Sequence, residues 1–223
     1  MHMTTVEKAL QERFSCRQFL PKPVPRETIE AILRAAQMTP SWCNTQPWQI
    51  TLLSGAEADR LRETLRTHAK SGAPANPDFP FPPRYEGIYR DRRKVCGVQL
   101  YQSLGIGKED RVAAAEQALE NFNFFDAPHV MLITTPENLG VYGAIDCGLY
   151  VSSFILVARQ HGIDSIAQAA LASYPDLLRE YFQLPGDRKF VCGLSFGYAD
   201  NDHPINGYRT ERADISEVVD WRG

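Results

Sequence analysis

Pro40-Ser41-Trp42-Cys43-Asn44-Thr45-Gln46-Pro47-Trp48 sets a loop rich in hydrogen-bonding side chains between two prolines and ends it on a tryptophan. Proline holds φ near −65° and lacks an N–H, so both loop ends are stiff and neither joins a hydrogen-bond ladder. The amides of Asn44 and Gln46 each offer donors and an acceptor, which suits the edge of a polar heterocycle. Turn chemistry plus a core tryptophan would use the same residues. Upstream, Pro25 suits the first position of a helix. Ile29, Ile32, Leu33 and Ala36 then recur at three- and four-residue spacing, an apolar stripe that ends at Pro40. Downstream, 48–53 alternates as a strand does. The stretch thus joins an amphipathic helix to a strand through a polar loop.

Further upstream, Thr4 or Thr5 can cap a short helix reaching about Arg13, with Val6, Leu10 and Ala9 on its buried face. Arg13-Phe14-Ser15-Cys16-Arg17-Gln18-Phe19 is too irregular to continue it. Downstream, a third helix is expected over 56–69. The loop 71–87 follows, with Pro74, Pro77, Pro80, Pro82 and Pro83. Loops of this length in compact domains are usually functional or mobile. Its Phe79, Phe81 and Tyr85, or the helix end at Phe124-Phe125, suggest a wall for a cavity; the other reading of the loop is a cover over outer helices. Helical pattern resumes near Tyr89 and again over 109–124, broken at Gly105-Ile106-Gly107. Strands are expected at 128–135, 163–166 and 189–198, and helices at 142–161, buried on most sides, and at 174–182. The tail 200–223 offers Ile215, Val218, Val219 and Trp221 to a core. It cannot offset its own ordering entropy and should lie on another surface, of this subunit or of a partner. Few strands among long helices indicate one α+β domain over 1–223, a small sheet with helices on it.

The chain has 223 residues, and its charge is 24 − 27 = −3. That balance gives no electrostatic pull on nucleic acid. No run of eighteen apolar residues is seen, so no membrane span is expected. The first residues lack the basic and apolar segments of a signal peptide. Five scattered cysteines, Cys16, Cys43, Cys96, Cys147 and Cys192, fit a reducing cytoplasm better than a disulfide framework. No Gly-x-Gly-x-x-Gly follows a strand, and no Walker loop, His-Glu-x-x-His or cysteine pair occurs, so no metal site is expected. Gly193-Leu194-Ser195-Phe196-Gly197 matches a nucleophile elbow in letters only. A β-rich run and then a loop surround Ser195, where the elbow requires strand, turn and helix. Glycines that admit close packing explain the motif better.

Two further motifs carry weight. In Arg13-x-Ser15-x-Arg17, alternate positions of an extended segment point the same way. Two guanidiniums and a hydroxyl there make an anion clamp or a solvated basic turn. Asn206-Gly207-Tyr208-Arg209-Thr210-Glu211-Arg212 places two more arginines near a hydroxyl, suited to a phosphate or to surface ion pairs.

In their order and spacing, these motifs resemble the nitroreductase family of FMN-dependent oxidoreductases over essentially the whole chain. The loop 40–48 is the most specific element. The buried helix after Gly143-Ala144-Ile145-Asp146 and the segment Gly162-Ile163-Asp164-Ser165 agree. The stretches 89–111 and 203–212 look most like the branch named for nitrobenzoate reduction. The resemblance implies a small, mostly antiparallel sheet flanked by helices in an interlocked homodimer, with the tail on the partner. It implies that Arg13 and Ser15 hold the FMN phosphate and ribityl chain, that Arg212 closes the phosphate with Arg209 assisting, and that Arg17 lies near the pyrimidine edge. Ser41 and Asn44, and Gln46 with them, come from the other subunit. Backbone N–H groups of Ala169 or Ala170 face N5. Here Ala167-Gln168-Ala169-Ala170 departs from a pattern with proline first and glutamate–glycine last, which bears on how substrate and nicotinamide are held. The implied activity takes hydride from NADH or NADPH and reduces a small electron-poor acceptor, a nitroaromatic or a quinone, in alternate half-reactions. The flavin carries the redox chemistry, so no catalytic side chain is required. A flavin-holding protein without turnover and a hydrolase built on Ser195 are the rival readings.

Overall fold

The structure is a computed structural model and describes residues 5–223. Thr4 lies outside the described residues, and Thr5 accepts the N–H of Lys8 as the cap of α1, Val6–Glu12. One antiparallel sheet runs in the order β1 (Gln49–Ser54), β2 (His129–Pro136), β4 (Arg188–Gly197) and β3 (Asp164–Gln168). Central β2 is buried over seven consecutive residues, which is why it reads as a continuous apolar run. Its side chains alternate between two cores. Val130 and Leu132 meet Leu61 and Leu65 of α3 (Ala56–Lys70) and Leu178 of α7 (Pro175–Phe182). Met131 and Ile133 meet Ile29 and Ile32 of α2 (Arg26–Ala36) and Tyr150 and Phe154 of α6 (Gly140–Gln160). A bulge sets the division on β4. Ile133 pairs with Cys192 but Thr134 with Phe190, so Val191 is the extra residue. That one insertion turns Phe190 to the first core while Leu194 and Phe196 stay in the second.

Helices α4 (Gly87–Ser103) and α5 (Arg111–Leu119) bury none of their residues in this chain. The pattern over 109–124 extends further than α5 because Asp110 caps its start and a left-handed turn, Phe124–Asp126, follows its end. Two expectations about buried faces are corrected. On α1, Ala9 is buried while Val6 and Leu10 are 61% and 54% exposed. On α6, one side lies on the sheet, and Val141, Tyr142, Ile145 and Leu149 are exposed. By length and composition the stretch Glu137–Gln160 is apolar enough to cross a membrane, contrary to the sequence expectation. In this fold its Cys147, Tyr150, Phe154 and Ala158 pack in the second core. Its Asp146 and Arg159 are engaged with Trp42 and Asp164.

The loop 71–87 is fastened to the outside. Buried Asp78 accepts from Arg179 Nη1 on both carboxylate oxygens, at 2.8 and 3.0 Å, and from the N–H of Phe190, while Asn76 bonds Ser173 and Asp176. Its aromatics line neither of the clefts described next. Within one chain this loop is tied to α7 and β4.

Ser195 is fully buried inside β4, and its hydroxyl donates to Gln168 Oε1 at 2.5 Å. A Cβ on Gly193 would stand 2.5 Å from Leu171 Cδ1, and one on Gly197 2.8 Å from Pro128 Cδ. The glycines therefore admit a leucine and a proline ring, and the hydrolase reading falls.

Candidate functional site

After α1 the chain leaves its helix at Arg13, whose backbone is extended. Ser15 then forms a parallel bridge to Ser165 at the free edge of β3, and Cys16 N–H donates to Ser165 O. Cys16 points into the core, so its neighbours Ser15 and Arg17 face away from it, and Arg13 lines the same cleft as they do. The tail returns to this segment. Asn206 is buried and serves as the clasp: its Oδ1 accepts the N–H of Arg17 at 2.9 Å, and its Nδ2 donates to Gln18 O and Asp200 O, both at 2.8 Å. Arg209 donates to the carbonyls of Asn206 and Tyr208 and stacks on the Phe14 ring at 4.0 Å.

The result is a cleft of about 520 Å³ between the two chain ends, lined by Arg13, Ser15, Arg17, Tyr208, Arg209 and Arg212, among others. A second cleft of about 270 Å³ shares Leu10, Arg13, Phe14 and Ser15 with it and continues between α6 and Ala167 of β3. Among the described residues, none of the four arginines is in an ion pair with a carboxylate. Glu7 lines the same cleft and pairs with none of them. Burial, and then the charges of Arg212 and Arg209, push the pKa of Arg13 below the usual arginine value. Four arginines without a directly paired carboxylate converge on a concave surface, which makes a site for an anion, and guanidinium forks match phosphate geometry. The adjoining cleft, walled by Phe14, Val151 and Ile155, suits a flat apolar body.

The loop 41–46 lies elsewhere. Ser41, Asn44 and Gln46 line neither cleft. The loop is built as a firm presentation. Trp42 N–H donates to the Asp146 carboxylate of α6, and the Trp42 ring meets Tyr142 edge-on at 4.1 Å. Gln46 N–H donates to Ser41 Oγ. Trp48 Nε1 donates to Gln37 Oε1, Gln37 Nε2 to Gln46 Oε1, and Gln46 Nε2 to Asn44. Cys43, Asn44 and Gln46 all have φ near +50°, a conformation that costs free energy in residues other than glycine and concentrates at functional sites. Ala169 and Ala170 begin the turn after β3. Ala169 is exposed, Ala170 packs against the first core, and neither lines a cleft, although Ala167 lines the second. One chain therefore brings together Arg13, Ser15, Arg17, Arg209 and Arg212, and leaves Ser41, Asn44, Gln46, Ala169 and Ala170 apart from them. Asn206 and Tyr208 stand in the tail motif with no sequence feature that marks their roles, because burial, which distinguishes Asn206, exists only in the fold.

A family model for the nitroreductase family matches residues 10–198. The chain belongs to the nitroreductase family. Among relatives of this nitroreductase, the nitroreductase NfnB of Mycolicibacterium smegmatis is 38% identical over 96% of this chain and 91% of its own length. The 4-nitrobenzoate reductase of Pseudomonas putida is 32% identical over 92% and 90%. The crystal structure of the FMN-dependent NfnB from Mycobacterium smegmatis in complex with NADPH superposes with a TM-score of 0.92. It is 36% identical and covers 97% of each chain. The nitroreductase fold expected from the sequence, a small antiparallel sheet with helices on both faces, is the fold observed.

Proposed function

We propose that this nitroreductase is an FMN-dependent enzyme that takes hydride from NADPH or NADH and reduces a small nitroaromatic or quinone. The observation that carries the reading is the cleft of four arginines, none in a direct ion pair, continued by an apolar cleft along β3. That donor set fits a group with a phosphate at one end and a flat ring at the other. Arg13, Ser15, Arg209 and Arg212 would hold the phosphate and the chain next to it. Arg17 would face the pyrimidine edge, and the backbone at Ala169 and Ala170 would face N5. Bound FMN supplies the two-electron chemistry between nicotinamide and acceptor. The protein supplies orientation, fixed charge and exclusion of water.

The same reading makes the molecule a single-domain homodimer. Ser41, Asn44 and Gln46 complete the partner's site, and the tail 200–223 covers the partner. Support comes from the outer faces of α1, α4 and α6 and from Ile215, Val218 and Trp221, which expose large apolar side chains in one chain. A location in the cytoplasm belongs to this reading too, and five unpaired cysteines support it.

The test is the visible spectrum of purified protein, chromatography of the cofactor released by heat, and rapid mixing with each nicotinamide. Yellow protein releasing FMN and bleached by NADPH or NADH is expected. FAD as the sole flavin overturns the cofactor. Flavin that neither nicotinamide reduces favours the storage reading.

A further inference from the structure

We infer that Tyr208 is a positioning residue: its hydroxyl fixes the Arg17 guanidinium at the arginine cleft and thereby sets the reduction potential of bound FMN. The inference rests on the FMN reading above. Arg17 Nη1 donates to Ser15 O at 3.2 Å and to Tyr208 Oη at 2.9 Å. Both hydrogens of that nitrogen are thus engaged. Among the described residues, Arg17 Nη2 and Nε make no hydrogen bond, and Arg17 lines the cleft. The fork is therefore held by one nitrogen while its other donors remain for a ligand.

Tyr208 is itself stitched in place on both sides. Its carbonyl accepts from Arg209, and the preceding Asn206 binds the backbone N–H of Arg17. Arg17 and Tyr208 are 191 positions apart in sequence and joined side chain to side chain, while Asn206 holds the Arg17 backbone. Burial raises the Tyr208 pKa, so the phenol stays neutral and keeps its proton. A neutral hydroxyl orients Arg17 without cancelling its charge, as a carboxylate in the same place would. A free arginine side chain samples many rotamers. Tyr208 removes much of that freedom before a ligand arrives. A cation held beside a flavin favours the reduced form, which bears more negative charge, so a fixed cation raises the potential and a wandering one does so less.

The experiment is a redox titration of FMN-loaded protein, with FMN affinity and melting temperature measured alongside. The variants are Tyr208→Phe, Tyr208→Gln, Arg17→Met and the double variant Arg17→Met with Tyr208→Phe. Tyr208→Phe deletes the hydroxyl and keeps the ring. The expected result is about a tenfold weaker preference for reduced over oxidised FMN, which for a two-electron couple is a potential lower by about 30 mV. Tyr208→Gln retains an acceptor for Arg17 and is expected to restore the potential. In the Arg17→Met background, Tyr208→Phe should shift nothing further, because the residue acts through Arg17. A lower melting temperature with an unmoved potential, or equal shifts with and without Arg17, overturns the inference and leaves the FMN reading standing. A chain that binds no FMN overturns both.

Discussion

The arginine cleft and the loop 41–46 are both polar, both implied by the resemblance to hold one cofactor, and assembled in opposite ways. The cleft is built within the chain, by stitching residues 206–209 onto 13–17 through Asn206, Tyr208 and Arg209. Its cations are brought together against their mutual repulsion, which a bound anion would relieve. The loop is also firmly built, on Asp146, Tyr142 and Gln37, but its amides line no cleft of their own chain. It sits beside exposed Tyr142 and near the exposed apolar face of α6. In the proposed homodimer, one cluster is half of a site and the other half is displayed outward, the arrangement expected when a two-fold partner exchanges the same pieces.

The comparison breaks most readily at the subunit contact. Leu149→Asp places a charge on the exposed face of α6, and an unpaired charge buried at an interface costs several kcal/mol. The expected outcome is a monomer by sedimentation that has lost its flavin absorbance and at least about a hundredfold in reductase activity. A folded monomer that keeps FMN and full activity would show that the loop plays no part in a neighbour's site.

Next in size is the cleft. Arg212→Ala removes a charge-assisted contact worth about 1.5–3 kcal/mol, or about tenfold to a hundredfold in FMN affinity. The dimer should persist. Fluorescence titration with FMN checks this, and unchanged affinity would mean that the tail arginine does not reach the phosphate.

A smaller effect is expected from Asp146→Ala, which removes the acceptor for Trp42 N–H and loosens the loop without touching the cleft. FMN affinity should fall by about tenfold, the scale of one charged hydrogen bond, with sedimentation unchanged. Equal FMN affinity in wild type and variant would detach the loop from cofactor binding.

The smallest effect separates the fold from both clusters. His129 Nε2 accepts the N–H of Val24, so in the neutral ring the proton sits on Nδ1 and goes to Ser54 Oγ. Burial lowers the His129 pKa. The native state therefore favours the neutral ring. Its contribution is fully present above about pH 6.5, the ordinary histidine value, and is lost as pH falls through the lowered one. Melting temperature should drop between pH 7.5 and pH 5 by more in the wild type than in His129→Gln, on the order of 2–4 °C for each kcal/mol. Identical drops would assign acid sensitivity to other groups.

Local pattern determined much of this molecule. The stripe Ile29, Ile32 and Ala36, the apolar run of β2 and the proline-ended loop are legible because helix and strand periods and proline geometry act over a few residues. The arginine motifs were legible as chemistry for the same reason. Which surfaces those elements cover was not. Leu10 and Val6 were expected inside and are outside, and α6 is apolar on both faces though only one meets the sheet. Apolar periodicity reports that a face will be covered, and it cannot say by which chain. The loop 71–87 has aromatics suited to a cavity wall, yet the Asp78–Arg179 pair, 101 positions apart, ties it to the outside. Val191 turns Phe190 across the sheet by adding one residue to a ladder, a register decision invisible in β4 alone. Asn206 meets Arg17 across 189 positions. The sequence by itself determined the elements and the kinds of group available, because those follow from neighbours along the chain. Tertiary structure decided which groups meet, because burial and hydrogen-bond satisfaction are settled only when distant segments close on one another.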